Sequence, residues 1–107
     1  MMQIPPNDPV LTHFRAAVNE IYGDRVERVV LFGSRARGDG TLNSDYDIAV
    51  FLRDMGDRFA EMNRLADLAT EILYREGQFI HAMPYRADSY KDGSPLMHEI
   101  RADGIDL

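Results

Sequence analysis

The chain has 107 residues, 45% of them apolar and 28% charged, which suits one folded domain and excludes a disordered or low-complexity polymer. The absence of cysteine excludes disulfide staples and thiolate metal sites and fits a reducing compartment such as the cytoplasm. Eighteen acidic residues against twelve basic ones give a net charge of −6, which argues against strong nonspecific nucleic-acid binding, since that depends on neutralising phosphates.

Residues 1–7 read as an irregular arm with no secretion signal. Asp8 before Pro9 predicts a helix start, and Val10, Phe14, Ala17, Val18 and Ile21 recur at helical spacing until Gly23. The β-branched run 26–32 predicts a buried strand bounded by Gly33. Turn formers follow, among them Gly38, Gly40 and the pair Asn43-Ser44, and a helical turn can begin at Ser34 with that serine as its cap. A second strand over 46–52 has apolar side chains at both parities, as a central strand covered on both faces would.

A long helix is expected over 57–76, with Phe59, Met62, Leu65, Ala66, Ala69, Ile72 and Leu73 as its apolar stripe and Gly77 as its end. A third strand over 78–84 is expected to stop at Pro84. Ser94-Pro95 opens a last short helix carrying Leu96, Met97 and Ile100, ending near Gly104. No stretch approaches the roughly 20 apolar residues that span a bilayer. The element order predicts an α/β fold, one domain over 1–107, with a short mixed sheet of three or more strands packed with helices. Strands 26–32 and 46–52 are expected to be neighbours, with their relative direction open.

Ser44-Asp45-Tyr46-Asp47 stands at the head of the second strand. Residues two apart on a strand share a face, so Asp45 and Asp47 would point the same way, above Ala49 and Phe51. Two adjacent carboxylates resist ionising together unless a cation sits between them, and magnesium accepts such oxygens together with phosphate and water. The competing reading is a pair of solvated turn aspartates. At the end of the first strand, Gly33 lets the backbone approach a ligand, and Ser34 could donate to a phosphate; a plain turn is the alternative.

Four arginines, Arg25, Arg28, Arg35 and Arg37, fall close together on this otherwise acidic chain. The guanidinium fork of Arg35 or Arg37 suits phosphate oxygens, against a loop salt bridge to Asp39 or Asp45.

Phe32-Gly33-Ser34-Arg35-Ala36-Arg37-Gly38, followed by Ser44-Asp45-Tyr46-Asp47-Ile48-Ala49-Val50, resembles the signature of the minimal nucleotidyltransferases (MNT) of the DNA polymerase β superfamily. That signature is Gly-Ser, a ten-residue gap and Asp-x-Asp, and residues 35–44 fill the gap. The resemblance implies a nucleotidyltransferase fold in which Gly33 and Ser34 hold the phosphates of an NTP, ATP foremost. Asp45 and Asp47 would then bind two magnesium ions while a hydroxyl attacks the α-phosphorus and expels pyrophosphate. Many of the relatives are antitoxins paired with a helical HEPN-type toxin, some transferring AMP to a tyrosine of that partner.

The family adds a third carboxylate from a neighbouring strand, expected here over 78–84, which has no Asp or Glu. His81 is the nearest polar replacement: it can take a proton but offers magnesium no negative charge. Asp67 and Glu71 read as solvated helix flanks, and Asp88 as a loop residue. His13 and His98 lack the partners of a metal site, while Tyr74, Tyr85 and Tyr90 suit the core rim or a partner surface. Two functions follow: a magnesium-dependent nucleotidyltransferase, or a catalytically weak antitoxin-like module that neutralises a partner by binding it.

Overall fold

The computed structural model describes residues 8–41 and 44–107. The expected arm over 1–7 and Asn43 of the expected turn lie outside them. Helix α1, Pro9–Tyr22, begins as the sequence suggests, with the Asp8 carboxylate accepting the amides of Val10 and Leu11 at 3.0 and 3.1 Å. Such a cap contributes about 1 kcal/mol by satisfying amides that the helix itself leaves bare. Strand β1, Val26–Phe32, runs into α2, a single helical turn over Ser34–Arg37. Gly33, not Ser34, is the N-cap residue of that turn, and no side chain caps it, because Ser34 already has helical geometry.

Strand β2, Tyr46–Leu52, is followed by α3, Arg58–Glu76, then β3, Ile80–Arg86, α4, Pro95–Asp103, and a two-residue strand β4, Ile105–Asp106. The sheet order is β3-β2-β1-β4. β1 is antiparallel to β2 and β4, and β2 is parallel to β3, so the sheet is mixed. Parallel neighbours need a long crossover, and α3 supplies it. The direction of β1 and β2, open in the sequence, is settled as antiparallel by the register Phe32↔Asp47 through Val29↔Val50.

Both faces of the sheet are covered. On one, Val29, Leu31, Ile48, Val50, Leu52 and Ile80 meet Phe14 and Val18 of α1 and Leu65, Leu68 and Ile72 of α3. On the other, Val30, Ala49 and Phe51 meet Met97 and Ile100 of α4. Removing a side chain such as Phe14 or Phe51 from water stabilises the fold by roughly 1.5–3 kcal/mol, and both are fully buried.

Several expected core positions belong elsewhere. Ile21, Phe59, Ala66, Leu73 and Leu96 are exposed, while Leu11, Tyr22 and Leu68 are buried. A stripe drawn around α3 cannot tell which edge of an apolar arc the sheet will cover, and the sheet covers the edge holding Leu65, Leu68 and Ile72.

Pro84 does not stop β3, which continues to Arg86. The parallel register turns the main chain of residues 81, 83 and 85 toward β2, so the imino nitrogen of Pro84 faces away from the sheet, where no ladder bond is lost.

Candidate functional site

The site forms where three chain segments meet at one end of the sheet. Asp47 is the second residue of β2 and sits between Phe32 of β1 and His81 of β3 in register. Next to Phe32, Gly33 adopts φ 78° and ψ −159°. A Cβ at this position would collide with Oδ2 of Asp47 and stand 3.2 Å from its Cγ. Only glycine allows that backbone and that approach together. Gly33 is therefore the wall on which the Asp47 carboxylate rests.

The Asp47 carboxyl is half-buried, and its pKa is raised, first by burial and then by the negative charge of Asp45. His81 and Arg37 pull it the other way. The Nδ1 of His81 is 3.8 Å from Oδ1 of Asp47, an ion-pair separation longer than a hydrogen bond. Asp45 lies just ahead of the first strand residue, not on the strand as the alternation suggested, and it is exposed. The two acids still feel each other, as the Asp45 contribution to Asp47 requires.

The two arginines divide their tasks. The Arg35 guanidinium lies 3.9 Å above the Tyr46 ring, donates from Nε to the Ser44 carbonyl at 2.8 Å and reaches Gln78 at 3.3 Å. Tyr46 in turn donates its hydroxyl to Asp8 at 3.0 Å. This chain ties the start of α1 and the turn before β3 to the segment carrying Asp45. Arg37 is exposed and pairs with Asp39 at 3.4 Å, the alternative weighed from the sequence, yet it lies near enough to lower the Asp47 pKa. Ser34 Oγ borders Gly40, whose amide and that of Asp39 bond to the Ser34 carbonyl, so the loop folds back over the serine.

The other carboxylates weighed from the sequence are paired on the surface or exposed. Glu71 pairs with Arg75 at 3.6 Å on the exposed side of α3, Asp88 pairs with Arg86 at 3.6 Å, and Asp67 is exposed. Among the described residues no group of three His, Cys, Asp or Glu side chains could hold a metal ion. Asp45 and Asp47 nonetheless fit a hard cation in kind: two oxygen donors whose mutual repulsion a divalent ion would relieve, with phosphate and water left to complete its shell. Tyr85 and Tyr90 line the core rim against Phe51, whereas Tyr74 is exposed. Among the described residues no helix is long and apolar enough to cross a membrane.

Sequence reasoning missed Glu61. It is buried, and its carboxylate takes Arg25 at 2.7 Å and Arg64 at 3.1 Å, joining α3 to the start of β1. Its place four residues before Leu65 on the buried side of α3 was the available signal. A cleft of about 450 Å³ lies at the far end of the sheet. Its arginines Arg28, Arg53 and Arg86 are paired with Asp106, Glu27 and Asp88, and Lys91 lines it as well.

The family model described as Polymerase beta, Nucleotidyltransferase matches residues 18–105. A candidate protein adenylyltransferase of Methanocaldococcus jannaschii is 34% identical over 76 residues, which are 71% of this chain and 70% of that protein. A second from the same organism is 32% identical over 69 residues, 64% of this chain and 47% of that protein. Among solved structures, a chain of a toxin–antitoxin crystal structure with AMP-PNP matches at a TM-score of 0.62 and 20% identity, covering 87% of this chain and 68% of that one. A chain of a complex between the tri-AMPylated Shewanella oneidensis HEPN toxin and an MNT antitoxin matches at 0.55 and 16% identity, covering 91% and 70%. At such identities the likeness to the solved structures is one of fold.

Proposed function

The chain belongs to the polymerase beta nucleotidyltransferase family, and on that footing we propose that it transfers a nucleotidyl group from an NTP, ATP foremost, to a hydroxyl of a protein partner. The observation that carries this reading is the packing of the Asp47 carboxylate between Gly33 and His81, with Asp45 beside it. The candidate adenylyltransferases among the relatives support AMP as the transferred group. The complex of an AMPylated HEPN toxin with an MNT antitoxin supports a HEPN-type partner as the acceptor, and the acceptor group that the sequence resemblance implies is a tyrosine of that partner.

Asp45 and Asp47 would hold magnesium, two ions once nucleotide is bound, which neutralises phosphate charge and lowers the pKa of the attacking hydroxyl. Gly33 keeps the backbone low enough for the triphosphate to approach Asp47, and Ser34 donates its hydroxyl to a phosphate oxygen. Arg37 is the arginine placed to exchange its loose pairing with Asp39 for a phosphate. Arg35, expected from the sequence to bind phosphate, acts instead by holding the loop through Ser44 and Tyr46. In the reaction the acceptor oxygen forms a bond to the α-phosphorus, the bond to the β-phosphate bridge breaks, and pyrophosphate leaves. His81 takes the acceptor proton, a task that histidine can perform near neutral pH.

Incubation with labelled ATP, magnesium and a HEPN-type partner tests the assignment. Asp45→Asn is expected to abolish transfer, and equal labelling by both proteins would remove Asp45 from the mechanism. His81→Ala is expected to slow transfer by about 10²-fold or more, read as the single-turnover rate. A second reading, a module that silences its partner by binding alone, is favoured by the lack of a three-residue metal cluster among the described residues. It requires the double variant Asp45→Asn, Asp47→Asn to inhibit as well as the parent, and loss of inhibition with binding retained would end it.

A further inference from the structure

The two edges of the sheet are built differently. β4 is two residues long, too short to template another strand. β3 forms the opposite edge, is seven residues long, and from position 80 to 85 carries no charged or ionisable side chain except His81 and Tyr85. Natural sheets protect such edges with charges, bulges or covering segments. Among the described residues, Pro84 and the charge of Arg86 are the devices present, and both protect the same end.

The register shows which groups the edge presents. Tyr46 donates its amide to the Phe79 carbonyl, and Tyr46↔Ile80 and Asp47↔His81 are partners. In a parallel ladder this turns residue 81 and its odd-numbered neighbours toward β2, and turns Ile80, Ala82 and Pro84 outward. The outer edge therefore offers amides from Ile80 and Ala82 and carbonyls from all three. Pro84 ends the run of donors because it has none.

Beside this edge runs a groove of about 300 Å³, lined by Met62, Ala66, Ala69 and Leu73 of α3 and by Phe79 and Ala82. The two alanines leave room above the helix, and Phe79 and Leu73 are 50% and 38% exposed. Alternate side chains of an added strand would fall into this space.

We propose that the β3 edge and its groove dock a short extended polypeptide segment of another protein by strand addition. Alternating main-chain donors and acceptors at a fixed spacing are matched by another main chain, and no small planar ligand reproduces them. A second copy of the chain is the less suitable occupant. A run of two donors is short for an interface that must reach about 1,200 Å² to be stable, and two chains of net charge −6 repel. The proposal does not rest on nucleotidyl transfer, although His81 lines the same groove and faces Asp47.

The test uses the intact chain and a blocked heptapeptide of alternating threonine and valine, followed by amide hydrogen exchange in NMR. Saturating peptide is expected to slow exchange at Ile80 and Ala82 by about tenfold or more, and N-methylation of alternate peptide residues should abolish binding. Leu73→Glu should weaken binding about tenfold by putting a charge into the groove, without changing nucleotide binding. Asp45→Asn should dock as the parent does, so loss of transfer and loss of docking are read separately. Unchanged exchange at both amides, or equal binding of the N-methylated peptide, would overturn the proposal. So would a dimer in light scattering whose Ile80 and Ala82 amides are already protected.

Discussion

Gly33 illustrates how much a single missing methyl group decides. Its φ of 78° disfavours any other residue, and the space a Cβ would need is taken by the Asp47 carboxylate. Gly33→Ala should lose about 1–2 kcal/mol of stability from the backbone alone. Transfer should fall further, by about 10²-fold, because displacing a reacting group by even about 1 Å has that effect. Comparing the thermal midpoint with the single-turnover rate separates the two consequences, and an active Gly33→Ala protein would show that Asp47 needs no such wall.

Tyr22 offers a second test at the same scale. Its buried hydroxyl has no hydrogen-bond partner among the described residues, and burial, reinforced by Glu61, pushes its pKa up to about 12. The unfolded phenol ionises near its ordinary value of 10. Between these two values the folded state holds the extra proton, so stability is constant below about pH 10 and falls as pH rises toward 12. Thermal midpoints of Tyr22→Phe should match the parent at pH 7 within about 1 kcal/mol and lack the part of the alkaline fall that Tyr22 causes.

At the scale of elements, the start of α1 is coupled to the site through one carboxylate. One oxygen of Asp8 caps the helix and the other accepts the Tyr46 hydroxyl, whose ring carries Arg35. Asp8→Ala should lower stability by about 1–2 kcal/mol, the value of a lost cap. It should also loosen the segment before β2, seen as faster amide exchange at Tyr46 than at residues of the α1 centre. A uniform change across α1 with none at Tyr46 would reduce Asp8 to a cap. The same economy governs α3: it is the crossover that makes β2 and β3 parallel, and it thereby sets His81 opposite Asp47.

At the scale of the molecule, the residues of the candidate site gather at one end of the sheet while the cores lie across its two faces. Ligand there should therefore act as a clamp across β1, β2 and β3. A nucleotide with magnesium at about 100 times its dissociation constant should add about 2.7 kcal/mol to stability. The gain should vanish in the double variant Asp45→Asn, Asp47→Asn, as read by the shift in thermal midpoint. Equal shifts in both proteins would move the nucleotide to another site.

The elements, and the motif interval that marks the candidate site, were legible in the chain itself because they are written in local terms. The runs 26–32 and 46–52 are dense in β-branched residues, Asp8-Pro9 and Ser94-Pro95 announce helix starts, and Gly33-Ser34 and Asp45-x-Asp47 fall at a recognisable interval. What could not be read there depends on contacts between distant residues. The antiparallel direction of β1 and β2, the continuation of β3 past Pro84, the burial of Glu61 between two arginines and the diversion of Arg35 onto Tyr46 are all of this kind. Local propensity specifies which backbone a segment prefers; which neighbour satisfies a charge, an edge or an apolar face is decided only when the layers close on one another.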